Sequence, residues 1–164
     1  RIYANGAIII TDLDADLNIS RVLYSDGRRV TNTYDPLDRM AQMVDWSGIT
    51  TLAYDALSQL KSVADPLTGV LTYSYDADGN KTQVAYPGGA LTYSWDSDGR
   101  LSQIGAPGGL LATLSYDALN RPLLESLGGR ARSRSFDAVG NALTERTLSS
   151  AGALLAGATA KYDA

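Results

Sequence analysis

The 164-residue chain contains no cysteine and no histidine. Disulfides, thiolate nucleophiles, Cys/His zinc sites and every triad built on histidine are therefore excluded. Glutamate is scarce, with 2 residues against 16 aspartates, while glycine contributes 16. Glutamate suits helices, whereas aspartate suits turns and caps, so this composition predicts many turns and little helix. No apolar run reaches the ~18 residues of a membrane span, and the N-terminus lacks a signal-peptide pattern. Basic charge is not in excess either. A formal net charge of -4 repels a phosphate backbone, so no nucleic-acid partner is expected. The one basic cluster, Arg130, Arg132 and Arg134 with Arg121 nearby, reads as the solvated face of a strand.

What the chain does have is a repeat. An aromatic residue followed by aspartate recurs seven times, at Tyr34-Asp35, Tyr54-Asp55, Tyr75-Asp76, Trp95-Asp96, Tyr116-Asp117, Phe136-Asp137 and Tyr162-Asp163. The spacings are 20, 21, 20, 21, 20 and 26, and Leu13-Asp14 is a degenerate eighth copy. With 13 aromatics and 16 aspartates, chance supplies roughly one such pair, so the fixed period marks a repeat architecture. Arg1 is an unusual first residue, and the chain stops three residues into a new repeat, at Tyr162-Asp163-Ala164. The expectation is one continuous array over residues 1–164, about seven repeats cut mid-repeat at both ends, with no second domain.

Each aspartate opens a tetrad with the character of a β-turn. Its fourth residue is Gly79, Gly99 or Gly140 in three copies and Asn120 or Asp38 in two, with Ser58 and Leu17 as exceptions. Glycine there permits positive φ, and Asn and Asp tolerate it next best. The carboxylate is placed to accept from backbone N–H groups two or three residues on. Pro36, directly after Asp35, presets φ for the turn. The pairs Tyr34/Asp35, Tyr54/Asp55, Tyr75/Asp76, Trp95/Asp96, Tyr116/Asp117 and Phe136/Asp137 are thus assigned structural roles, as are Gly79, Gly99 and Gly140.

Ahead of each aromatic lies a stretch of period two. Leu71, Tyr73 and Tyr75 fall on one face, as do Leu91, Tyr93 and Trp95, and Leu110, Ala112, Leu114 and Tyr116. This pattern predicts half-buried strands. More polar strands are expected after each turn, over 40–46, 59–63, 81–86 and 101–104. A second turn closes the unit, at Ser25-Asp26-Gly27, Ser47-Gly48, Pro66-Leu67-Thr68-Gly69, Pro87-Gly88-Gly89, Pro107-Gly108-Gly109 or Gly128-Gly129. In the longer last unit the loop is expected around 149–157. The fold class is therefore all-β: an antiparallel repeat sheet of stacked β-hairpins, about 20–21 residues per repeat. One such repeat cannot fold alone, and the ends of an array leave strand edges open to edge-to-edge self-association.

The Tyr-Asp turn followed by Gly-Arg or Gly-Asn, repeated at this period, resembles the RHS or YD repeat family. Tyr73-Ser74-Tyr75-Asp76-Ala77-Asp78-Gly79-Asn80 and Tyr93-Ser94-Trp95-Asp96-Ser97-Asp98-Gly99-Arg100 carry the resemblance, which extends from about Leu13 to Ala164. In that family the repeats build a spiralling β-shell around a polypeptide, in bacterial Rhs polymorphic toxins, insecticidal toxin-complex components and teneurin-like shells. The resemblance implies a secreted or exported bacterial protein, with flanking repeats as partners and a C-terminal toxin or other polypeptide passenger held inside. It also implies a wall with no catalytic activity and no cofactor. Asp65-Pro66-Leu67-Thr68-Gly69 is similar to the Asp-Pro-x-Gly of the family's self-cleaving terminal region, but it falls at a second-turn position and is assigned to a turn.

Other sites weigh less. Asp12, Asp14, Asp16 and Asn18 copy the first ligands of a calcium loop, yet Leu17 stands where glycine is needed and Leu23 where glutamate is needed. No metal is assigned. The close pairs Asp76/Asp78 and Asp96/Asp98 recur with the turn and read as structure rather than acid–base catalysis. The alternative function is an extracellular adhesion module, with Tyr and Trp rings stacking on sugars or protein.

Overall fold

Alternating apolar and polar residues, broken by glycine and aspartate turns every ten or so positions, leave the chain no helical face. The computed structural model describes residues 9–149 and 153–160, and these contain strands and no helix. The strands are β1 (Ile9–Leu13), β2 (Ile19–Tyr24), β3 (Arg29–Tyr34), β4 (Met40–Asp45), β5 (Gly48–Tyr54), β6 (Leu60–Asp65), β7 (Gly69–Tyr75) and β8 (Lys81–Tyr86). They continue with β9 (Gly89–Trp95), β10 (Leu101–Ala106), β11 (Gly109–Tyr116), β12 (Pro122–Leu127), β13 (Arg130–Phe136), β14 (Ala142–Ser149) and β15 (Leu154–Thr159). The pair Tyr162-Asp163, Arg1 and residues 150–152 lie outside the described residues.

Contacts divide the chain into two units, one of Arg1–Ser74 with Val84–Gly88 and one of Tyr75–Gln83 with Gly89–Ala164. In the first, β1 to β7 pair antiparallel in succession. In the second, β9 to β15 do the same. Both units carry one irregularity at a fixed place. The ladder across an Asp turn skips a residue seven positions after the aromatic: Ala41 and Lys61 in the first unit, Ser102, Leu123 and Leu143 in the second. Each is a β-bulge, one unpaired residue that increases local twist.

Burial follows the alternation. Along β7, Leu71, Tyr73 and Tyr75 are half-buried while Val70, Thr72 and Ser74 are exposed. Among the described residues there is almost no interior. Ala112, at 7% exposure, is the buried apolar residue and Thr50, at 9%, the buried polar one. Stability must therefore come from ladder bonds and cross-strand pairs such as Leu52 with Val63 and Val63 with Leu71.

Several sequence expectations need correction. Leu110 does not share the half-buried face of Ala112, for it is 58% exposed. Leu110 pairs with Gly105 and Ala112 with Ile104, so Leu111 is an extra residue that breaks the alternation. Trp46 is outside the strand expected over 40–46. The Asp45 carboxylate accepts from the Ser47 N–H at 2.7 Å and its hydroxyl at 2.6 Å, which turns the chain at Asp45. Gly157 is not in a loop but in β15, paired with Arg146.

Candidate functional site

Seven described Asp turns share one geometry. The N–H of Asp14, Asp35, Asp55, Asp76, Asp96, Asp117 and Asp137 donates to the carbonyl four residues on, at 2.8–3.0 Å. The N–H of the fourth tetrad residue returns to the aspartate carbonyl at 3.0–3.2 Å. This is a three-residue hairpin loop, a type I turn followed by a left-handed residue. Asp Oδ1 accepts from the N–H groups two and four residues on, for example Leu37 at 2.9 Å and Arg39 at 3.1 Å on Asp35. Asp76 does so with Asp78 and Asn80, Asp96 with Asp98 and Arg100, Asp117 with Leu119 and Arg121, and Asp137 with Val139 and Asn141. Asp55 accepts in the same way from Leu57 and Gln59, and Asp14 from Asp16 and Asn18. The second acceptor contact is four residues away, not three, because the left-handed residue swings the following N–H back to the carboxylate.

The left-handed conformation belongs to the position rather than to glycine. Gly79, Gly99 and Gly140 have φ of 84°, 72° and 102°. Asp38, Asn120, Ser58 and Leu17 have 57°, 62°, 63° and 68°. Ser58 and Leu17, exceptions in sequence, are therefore no exceptions in conformation. The turn's hydrogen bonds hold even a leucine where its Cβ is disfavoured.

The residue after the tetrad ties the turn to its neighbour. Arg39, Arg100 and Arg121 donate Nε to Oδ2 of Asp35, Asp96 and Asp117 at 2.8, 2.7 and 2.6 Å. The same guanidinium groups lie over the next repeat's ring: Arg39 over Tyr54 at 4.5 Å, Arg100 over Tyr116 at 4.9 Å and Arg121 over Phe136 at 4.4 Å. Asn80 and Asn141 keep only the first contact, donating Nδ2 to Asp76 and Asp137. Arg39 and Arg100 also place Nη1 on a side-chain oxygen of the next tetrad's fourth residue, Ser58 at 3.0 Å and Asn120 at 2.7 Å. Arg121 meets Gly140 there, and its buried Nη1 is left without a partner among the described residues.

The rings also close the bulges. Tyr34 Oη donates to the Ile19 carbonyl, Tyr54 Oη to Met40, Trp95 Nε1 to Lys81 and Tyr116 Oη to Leu101, at 2.9–3.1 Å. Each acceptor lies six residues after the preceding repeat's pair begins. For Ile19, Met40 and Leu101 that is immediately before a bulge. At each of these three bulges the next ring donates to the carbonyl beside the skipped ladder position. Phe136 has no donor to give.

These contacts set the charge state of the turn. The Arg39 side chain, with the Arg39 and Leu37 N–H groups, holds the Asp35 carboxyl below its ordinary value. The N–H and guanidinium of Arg100 do so for Asp96, and those of Arg121 for Asp117. Burial pulls Asp76 and Asp137 up, but the hydrogen bonds from Asn80, Asp78 and Gly79, and from Asn141, Gly140 and Val139, together leave each carboxyl below its ordinary value.

In the calcium-like run, Asp12 pairs with Arg21 at 2.5 Å and Asp14 is taken up by its own turn. Asp96 and Asp98 share Arg100. Among the described residues no group of three or more acids could hold a metal ion. Asp65 accepts from the N–H groups of Leu67 and Thr68 in the turn between β6 and β7.

The family model of the RHS repeat matches residues 54–91. No curated protein sequence matches the chain significantly. Among solved structures, the TcdB2-TccC3-TEV crystal structure superposes with a TM-score of 0.75 at 14% identity, over 92% of this chain and 10% of that one. The Photorhabdus luminescens Tc holotoxin pore with the TccC3-D651A mutation gives 0.75 at 14% identity, over 92% and 9%. TcdB2-TccC3 without its hypervariable C-terminal region gives 0.65 at 14% identity, over 82% and 9%. The chain thus spans about one tenth of the length of these similar chains. Residues 54–91 match the RHS repeat, and the fold shared with these Tc structures covers 82–92% of the chain.

Proposed function

We propose that this chain is a non-catalytic wall segment of a β-shell that encloses a polypeptide passenger. The near absence of an interior carries the reading. A sheet whose large apolar side chains are all at least partly exposed among the described residues is not a self-contained core. It suits a partition, with one side facing a partner. The RHS repeat at 54–91 and the fold likeness to Tc structures support the same reading.

On this reading residues 1–164 are one uninterrupted repeat array, and the aspartate turns, rings and turn glycines hold the wall together. The partners are flanking repeats of a longer protein and the passenger, and the longer protein is exported. No described helix is long and apolar enough to cross a membrane. The alternative, an adhesion or ligand-binding module, draws support from Trp46, which is 59% exposed with Arg28 stacked over it at 4.7 Å.

Limited proteolysis of the longer protein tests the proposal. The passenger should resist protease while the wall is intact and be digested once the wall is denatured. Digestion at equal rates in both states refutes the shell and leaves the binding module.

A further inference from the structure

The face that carries the rings changes character at β13. At the positions four and two before the aromatic, β9 has Leu91 and Tyr93, and β11 has Ala112 and Leu114. The corresponding residues of β13 are Arg132 and Arg134, with Arg130 two residues earlier. Register places them on the same face, since Ala112 pairs with Leu127, Leu127 with Arg130, Leu114 with Glu125 and Glu125 with Arg132. A groove of about 520 Å³ lies there, with Leu101, Ile104, Leu114 and Leu127 as apolar lining and Glu125, Arg130 and Arg132 as its charged residues.

The local charge is unbalanced. Glu145 faces Arg132 at 3.3 Å and Arg134 at 3.7 Å, and Glu125 faces Arg134 at 3.5 Å. Arg130 is exposed and makes no ion pair or side-chain hydrogen bond among the described residues. Three arginines thus meet two glutamates on a chain whose net charge is -4. A guanidinium at the rim of an apolar groove binds a carboxylate through a charge-assisted, bidentate contact. Apolar neighbours of that carboxylate would fill the groove.

We propose that this groove docks a polypeptide segment bearing an acidic residue flanked by apolar side chains, the carboxylate meeting Arg130. The inference rests on the shell reading for the segment's source, the enclosed passenger. The binding chemistry stands on the groove alone.

Fluorescence anisotropy on the 164-residue chain tests it, with a short labelled peptide alternating leucine and aspartate. Peptides with asparagine or lysine in place of aspartate are the comparisons. The aspartate peptide should bind at least about tenfold more tightly than either, and less tightly as salt rises. Arg130→Gln should remove most of that preference, and Leu127→Ser should weaken all three peptides. Both side chains are exposed, so the fold should tolerate the changes, with the circular dichroism spectrum as the check. Arg146→Gln should change nothing, because Arg146 pairs with Ser133 and Gly157 on the opposite face. Equal binding of the three peptides, or an unaltered preference in Arg130→Gln, overturns the proposal. So does binding of phosphatidylserine vesicles or polyphosphate that the aspartate peptide does not displace, which would make this a general anion patch. Loss of passenger protection with peptide binding intact would refute the shell and leave the groove standing. Protection without peptide binding would do the reverse.

Discussion

The guanidinium of Arg39 lies 4.5 Å from the centre of the Tyr54 ring while its Nε bonds Asp35 at 2.8 Å. One side chain thus closes its own turn and grips the next repeat, whose ring in turn donates to the Met40 carbonyl. A double-mutant cycle with Arg39→Ala and Tyr54→Leu should give a coupling of about 0.5–1 kcal/mol in urea denaturation. A coupling of zero would mean that the stacked geometry contributes nothing to stability.

The left-handed positions predict opposite effects for two exchanges. Leu17 has φ of 68° and a side chain 75% exposed, so Leu17→Gly should stabilise the chain by about 1 kcal/mol. Gly99, at φ 72° with nothing near its absent Cβ, should lose about 1 kcal/mol as Gly99→Ala. Gly69→Ala should cost more, because its Cβ would sit 2.8 Å from Cγ of Pro87 on top of the strain at φ 82°. Thermal melts of the three variants check the order.

Phe136 marks a repeat whose ring lacks a donor. The carbonyl at the equivalent place, six residues after Tyr116, belongs to Pro122. Phe136→Tyr should supply the missing hydrogen bond and stabilise by about 0.5–1.5 kcal/mol. Tyr116→Phe should lose a similar amount. If both exchanges leave the melting temperature unchanged, the bulge carbonyls do not need the rings.

Acid should unfold the chain through its turns. Asp35, Asp96 and Asp117 have folded values below the ordinary carboxylate value, so the unfolded chain binds more protons in that interval. Their contribution is fully present above about pH 4 and is lost as pH falls through the folded values. Urea midpoints should hold from neutral pH down to about pH 4 and drop below it, and Asp96→Asn should make the drop shallower. A midpoint that rises on acidification would contradict the assigned sign.

The fold was legible because its signals are local. Alternation in Leu71-Thr72-Tyr73-Ser74-Tyr75 and a glycine or aspartate turn at each end fix a strand within one repeat. What escaped sequence reading depends on register between repeats. Arg39 and Tyr54 are fifteen residues apart, and only the pairing of β4 with β5 shows that they come together. One signal was available: the residue five after each aromatic is always Arg, Asn or Gln, as in Arg39, Gln59, Asn80, Arg100, Arg121 and Asn141. The conformation of Ser58 and Leu17 was hidden for another reason. Residue preference argues against positive φ there, and the carboxylate contacts of the turn override it. Leu110 misled because one extra residue, Leu111, shifts the period.

The most direct test of the wall account is size-exclusion chromatography of the longer protein under native conditions, followed by intact mass after denaturation. The account predicts a C-terminal fragment that co-elutes with the wall natively and separates from it only on denaturation. A single uncleaved chain with no protected passenger would contradict it.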